Sequence, residues 1–187
     1  PTPTSSTTPT PDAAPTPSTD ASPASPSSST TPTPAPEVSR ATATGQLLVP
    51  VAGVRPEQLR DTFTESRSEG RAHNAIDIIA PRGTPVVAAA DGRVIKLFQS
   101  DAGGTAVYQL DPDNRTVYYY AHLERYADGL VEGHFARRGE TIGYVGDTGN
   151  AGPGNYHLHF SVSHVTDPER WWEGENVNPF PLLAGKN

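Results

Sequence analysis

Between residues 75 and 162 the chain is a succession of short runs rich in Val, Ile, Tyr and Thr, interrupted every few residues by Gly, Asp, Asn or Pro. That punctuation leaves no stretch for a substantial helix and commits the segment to short strands joined by tight turns. Strands are predicted over 75–80, 85–90, 92–98, 105–110, 117–122, 141–145 and 156–162, with a further apolar strand over 46–51 opening the folded region. Pro81-Arg82-Gly83-Thr84, Asp91-Gly92 and Asp111-Pro112-Asp113-Asn114 carry turn chemistry. Residues 55–61 allow one or two helical turns, with Pro56 at the first position. The expected fold is mainly β, a single compact domain built on an antiparallel sheet or partly open barrel.

Residues 1–36 are different. They are almost entirely Pro, Thr, Ser and Ala, with no large apolar side chain to offset the entropy of ordering the backbone. A disordered, partly polyproline-like tether is predicted over 1–40, and a folded domain over 41–187 that is long enough for one core. The formal net charge of −7, without a run of Lys or Arg, argues against nucleic acid as a partner. No apolar stretch approaches the length of a membrane span. The chain begins at Pro1 and contains no Met, so the expectation is an exported protein lacking its signal peptide or a lipid-anchored tip upstream. The lack of Cys is compatible with export without requiring it.

Two short motifs carry the chemistry. One is His73-Asn74-Ala75-Ile76-Asp77; the other is His157-Leu158-His159, followed by Phe160. Together they offer imidazoles and a carboxylate, the ligand types that a catalytic zinc ion takes three at a time, and without Cys a zinc site here must be built from nitrogen and oxygen. On a strand, His157 and His159 point to one face about 6–7 Å apart, so both can address one small site. His73 and Asp77 would be about 13 Å apart on an extended strand, too far to share an ion. The chain must bend between them, or His73 must lie on a loop formed by Gly70-Arg71-Ala72-His73-Asn74. Asp77 sits in the apolar run Ala75-Ile76-Asp77-Ile78-Ile79, where a carboxylate is costly to bury unless paired or metal-bound. Taken singly, such triplets are common by chance; Asp77 then reads as a turn residue and His157 as an exposed one. Their flanks change the odds.

From about Leu48 to Leu183 the chain resembles the LytM/lysostaphin-type zinc endopeptidases, peptidase family M23. The resemblance rests on the first motif and its continuation Ile78-Ile79-Ala80-Pro81-Arg82-Gly83-Thr84-Pro85-Val86, and then on Ala88-Ala89-Ala90-Asp91-Gly92-Arg93-Val94. It continues in Tyr120-Ala121-His122-Leu123, in the glycine-rich approach over 139–150, and in His157-Leu158-His159-Phe160. It implies one zinc ion per chain held by His73, Asp77 and His159, with His122 and His157 as catalytic histidines. It also implies a groove over an antiparallel sheet. The chain departs from the family at Ala75, where glycine is usual, and at Ser161, where glutamate is frequent. Neither departure removes a ligand, though Ala tolerates fewer backbone conformations than Gly.

Three protein ligands leave a fourth zinc position for water, and His122 and His157 are expected to orient it and carry protons. There is no HExxH glutamate base. Arg67 is a candidate for holding the oxyanion or substrate, with a surface salt bridge as the alternative; Tyr120, next to His122 in sequence, is a second candidate for substrate contact. His134 and His164 are expected in loop or solvent surroundings. Tyr118, Tyr119 and Tyr120 alternate across their strand, so some belong to the core and some to the groove floor. Core packing is expected of Trp171-Trp172, with cover of the sheet edge or a place on the groove rim as the alternatives, and Asn178-Pro179-Phe180-Pro181 is expected to fix the C-terminus.

The implied function is hydrolysis of peptide cross-links in bacterial peptidoglycan by an extracytoplasmic, monomeric enzyme. The alternative is a non-catalytic domain of the same fold that binds or activates other cell-wall hydrolases; such relatives have typically lost ligands or catalytic histidines, and here all five positions are filled. A wall-anchoring module and a protease of soluble substrates are the further readings.

Overall fold

The computed structural model of the chain describes residues 47–67, 70 and 72–185. The predicted tether over 1–40, the first residues of the predicted domain and Arg71 lie outside the described residues. In chain order the strands are β1 (Ile76–Ile79), β2 (Pro85–Val87), β3 (Gly92–Ser100), β4 (Gly104–Leu110), β5 (Thr116–Tyr126), β6 (Phe135–Ala136), β7 (Thr141–Val145), β8 (His157–His164) and β9 (Glu175–Val177), followed by the short helix α1 (Pro179–Ala184). Every ladder is antiparallel, and the main path runs β1-β8-β5-β4-β3-β6. β9 extends β8, while β7 pairs with the far end of β5 and with β2. The path ends at β1 and β6 without closing, so an open sheet forms rather than a barrel.

Period-2 alternation separates the two faces. Ile76 and Ile78 of β1, Tyr118 and Tyr120 of β5, and Leu158, Phe160 and Val162 of β8 point into the main core, joined there by Leu123, Ile142 and Leu183. Asp77, Tyr119, His159 and Ser161 point the other way and line a cleft. A smaller cluster of Leu110, Val117 and Val165, with Ile95, Tyr108 and Trp171 packed against it, forms a second apolar group.

Two expectations change, and that of a short turn at Pro56 holds. The apolar segment opening the domain is not a regular strand: Val51 makes only an isolated bridge to Val86, and Leu48 N–H and Ala52 N–H bond singly to Ala89 and Pro85. Pro50 in its middle has no N–H to continue a ladder. β2 stops at Val87 because the chain turns there to bond Glu140 and Gly139 through Ala88. Residues 56–58 make a single 3-10 turn with Pro56 at its start. At the other end, the Asn178 side chain accepts from Phe180 N–H at 2.9 Å and caps α1, and Gly185 at φ 63° ends it.

Candidate metal centre

Asp77 and His159 face each other across the β1–β8 ladder, which brings a carboxylate and an imidazole to one point without any special turn. His73 reaches that point because Asn74 adopts φ 55° and bends the chain just before β1. The left-handed region disfavours most side chains, and Asn is among the few that visit it. The segment preceding the motif holds the bend: His73 N–H bonds Glu65 O at 2.9 Å, Asn74 N–H bonds Phe63 O at 3.0 Å, and Asp77 N–H bonds Thr62 Oγ1 at 3.1 Å. The strained position is therefore Asn74, not Ala75. Ala75 is fully buried and lies outside the positive-φ set of the described residues, so the absence of glycine there imposes no strain.

The tautomers follow from the backbone. A carbonyl only accepts, so His73 Nδ1–H donates to Thr62 O at 3.0 Å and its Nε2 is left as the lone-pair atom. His122 Nδ1–H donates to Thr148 O and His157 Nδ1–H to Asn155 O, each at 2.8 Å, leaving their Nε2 atoms as acceptors. His159 instead turns Nδ1 toward Asp77 Oδ1, at 3.2 Å.

His73 Nε2 lies 3.0 Å from His159 Nδ1 and 3.0 Å from Asp77 Oδ1. With zinc bonds of about 2.0–2.1 Å, a tetrahedral site has donor-to-donor edges of roughly 3.3 Å. The triangle of two nitrogens and one carboxylate oxygen thus has the size and the donor chemistry for zinc. Among the described residues, His73, Asp77 and His159 form a group able to hold a metal ion. A cation is what these acceptors select, for the Arg67 guanidinium also contacts Asp77 and lies 2.9 Å from His73 Nε2. The salt bridge weighed as the alternative for Arg67 is made inside the cleft, with Asp77 itself, and not with a surface partner.

Burial alone would raise the Asp77 carboxyl, but the hydrogen bond from His159 Nδ1 and the Coulombic effect of the His73 and His157 rings beside it outweigh burial and hold the group well below the usual carboxylate range. Burial pushes His159 down, and it pushes His122 down to about 4, so both rings are neutral near pH 7.

His122 arrives by a device the sequence does not announce. Strict alternation would put it in the core beside Tyr118 and Tyr120. Instead β5 carries one extra residue between Tyr120, opposite Val107, and Leu123, opposite Thr105. His122 sits in this bulge at φ 60°, its N–H bonded to Gly103 O at 2.9 Å. The bulge reverses the parity: Leu123 enters the core and His122 turns to the cleft, its ring 4.9 Å from that of His157. Thr148 steadies the bulge, with Oγ1 donating to Leu123 O at 2.7 Å and accepting from Thr105 N–H at 3.0 Å. Thr62, Asn74, Thr148 and Asn155 all position the cluster, and sequence reasoning singled out none of them.

Tyr120 is corrected outright. It is fully buried, donating to Gln109 Oε1 at 2.7 Å and accepting from Ala89 N–H at 3.0 Å, and it does not reach the cleft. Its neighbour Tyr119 lines the cleft in its place. Trp171 is half-buried, but Trp172 is 62% exposed, not core. His134 pairs with Glu140, and His164 is exposed.

Residues 71–179 match the family model of peptidase family M23. The chain is 31% identical over 131 residues to the L-Ala–D-Glu endopeptidase of Bacillus subtilis, an alignment covering 66% of this chain and 39% of that protein. It is 36% identical over 96 residues to the peptidoglycan DD-endopeptidase ShyC of Vibrio cholerae, covering 51% of this chain and 21% of that protein. The chain therefore spans well under half the length of either curated relative. Among solved structures, the catalytic domain of the antimicrobial peptidase lysostaphin from Staphylococcus simulans superposes with a TM-score of 0.57 at 23% identity, over 68% of this chain and 94% of that one. That likeness is one of fold.

Proposed function

Because the chain belongs to peptidase family M23, we propose that it is a zinc-dependent endopeptidase hydrolysing peptide cross-links of bacterial peptidoglycan outside the cytoplasm. The observation that carries this reading is the convergence of five side chains. Three donor atoms form a zinc-sized triangle, and the Nε2 atoms of two further imidazoles are left as acceptors beside it. His73, Asp77 and His159 would hold one zinc ion, which supplies a Lewis acid that activates water and polarises a carbonyl. His122 and His157 accept, hold and return a proton. Burial disfavours the His122 imidazolium, so a proton taken there is readily passed to the leaving amine. Arg67 contacts Asp77 in the same cleft, and with zinc on that carboxylate the guanidinium would be released to meet a substrate or transition-state oxygen.

The domain is assigned to 41–187 and acts as a monomer, with 1–40 as a tether. Among the described residues no helix is long and apolar enough to cross a membrane. The two curated relatives are named for different bonds, so the bond cut here is read by mass spectrometry of muropeptides released from walls of different chemotypes. The decisive test pairs wild type with His159→Ala. Wild type should carry about one zinc per chain and release cross-link fragments; His159→Ala should lose both, as should wild type under chelation. Full cleavage by His159→Ala would sink the zinc assignment. Zinc binding without cleavage of any wall would favour the non-catalytic, hydrolase-activating reading.

A further inference from the structure

The cleft does not end at the metal cluster. Tyr119 stands edge-on to His159 with ring centroids 6.1 Å apart, and from it a run of rings crosses the outer face of the sheet. Tyr108 lies opposite Tyr119 in the β4–β5 ladder with centroids 4.4 Å apart, Trp171 follows at 4.6 Å, and Trp172 at 5.5 Å from Trp171. A side branch leads from Tyr108 to Phe98 at 6.3 Å. The stripe opens outward: Tyr119, Tyr108 and Trp171 are half-buried, while Phe98 is 41% and Trp172 62% exposed. At the cleft end the backbone makes room for it, since a side chain at Gly103 would meet the Tyr119 hydroxyl at 2.1 Å.

Resting on the peptidoglycan reading above, we propose that this aromatic stripe binds the glycan strand, the polymer of N-acetylated amino sugars whose stem peptide enters the cleft. Pyranose rings present a face of C–H groups that stacks on the negative face of an aromatic ring, and Trp is the largest such platform. The N-acetyl groups need polar partners, and Ser161, opposite Tyr119, and Asn176 on β9 line the same cleft. Continuity from His159 to Trp172 lets one polymer place its peptide at the cluster and its sugars on the stripe.

The other occupants fit less well. A second copy of the chain would bring together two molecules of formal charge −7 with Phe98 and Trp172 as the exposed rings of the stripe, whereas a stable interface buries roughly 800 Å² per partner. A membrane surface would call for a polybasic run, which the sequence does not contain.

Titration of the full chain with soluble β-1,4-linked N-acetylglucosamine oligomers, in the presence of chelator and read by tryptophan fluorescence, tests the surface without requiring peptidase activity. Wild type should show a saturable change, and Trp172→Ala, an exposed position that leaves the fold intact, should bind at least about 10-fold more weakly. Phe98→Ala should weaken binding to a smaller degree. In the kinetic arm, Trp172→Ala should raise KM about 10-fold on disaccharide-bearing cross-linked muropeptides and leave cleavage of the same peptides freed of sugar unchanged. No fluorescence change in wild type, equal binding by Trp172→Ala, or an equal loss on both substrates would overturn the proposal. So would self-association abolished by Trp172→Ala without sugar binding. A wild type that binds the oligomers but cuts no peptide would leave the glycan surface standing and overturn the peptidase reading instead.

Discussion

Two side chains show how single residues set the site. Asn74 pays a conformational cost so that His73 can fold back on Asp77. Left-handed backbone costs an ordinary residue about 1–2 kcal/mol, while glycine accepts it freely. Asn74→Ala should therefore lower stability by about 1 kcal/mol in urea unfolding, and Asn74→Gly should stay within about 0.5 kcal/mol of wild type. Equal losses from both would mean that the Asn side chain, not the backbone angle, is what the site needs. Tyr120 belongs to the core, so Tyr120→Phe leaves Gln109 Oε1 and Ala89 N–H without their partner. Each such loss costs about 1–3 kcal/mol. The variant should melt lower yet keep its zinc stoichiometry and kcat; a lost kcat at unchanged stability would restore Tyr120 to the chemistry.

At the scale of elements, the β5 bulge converts a core-facing position into a cleft-facing one, and it is held from outside its own strand. Thr148, in the loop between β7 and β8, bonds β5 and β4 through its hydroxyl and orients His122 through its carbonyl. Thr148→Val keeps the volume and the carbonyl but removes the two hydroxyl bonds. Stability should fall by about 1–3 kcal/mol. Loosened His122 should cost at least about 10-fold in kcat on muropeptides, with zinc content unchanged, because misplacement by an ångström is enough for losses of that order. Retained kcat would show that the bulge is held by the Gly103 contact alone.

Across the whole molecule, the triangle ties β1 to the loop before it and to β8, segments more than eighty residues apart in sequence. A ligand that binds only the folded chain stabilises it by about 2.7 kcal/mol at 100 times its Kd. Calorimetry should accordingly show wild type melting several degrees higher with zinc than with chelator. His159→Ala should show one melting temperature under both conditions, and a zinc response surviving in that variant would mean that the metal binds elsewhere.

The sequence by itself determined what is local and periodic. Gly, Pro and Asp punctuation sets where strands start and stop, and alternation places His157 with His159 and separates Tyr119 from Tyr120. The residue types in the two histidine motifs supply the nitrogen and oxygen atoms of the triangle. Even the need for a bend after His73 follows from strand length alone. The tertiary structure decided the rest: that Asn74 makes the bend, that a bulge turns His122 outward, that Nε2 is the lone-pair atom of His73, His122 and His157, and that Tyr108, Tyr119, Trp171 and Trp172 join into one stripe. Those outcomes depend on which backbone group, from a strand or loop tens of residues away, lies opposite a given position. Alternation carries parity only as far as the next bulge, and nothing in Tyr118-Tyr119-Tyr120-Ala121-His122-Leu123 marks where that bulge falls.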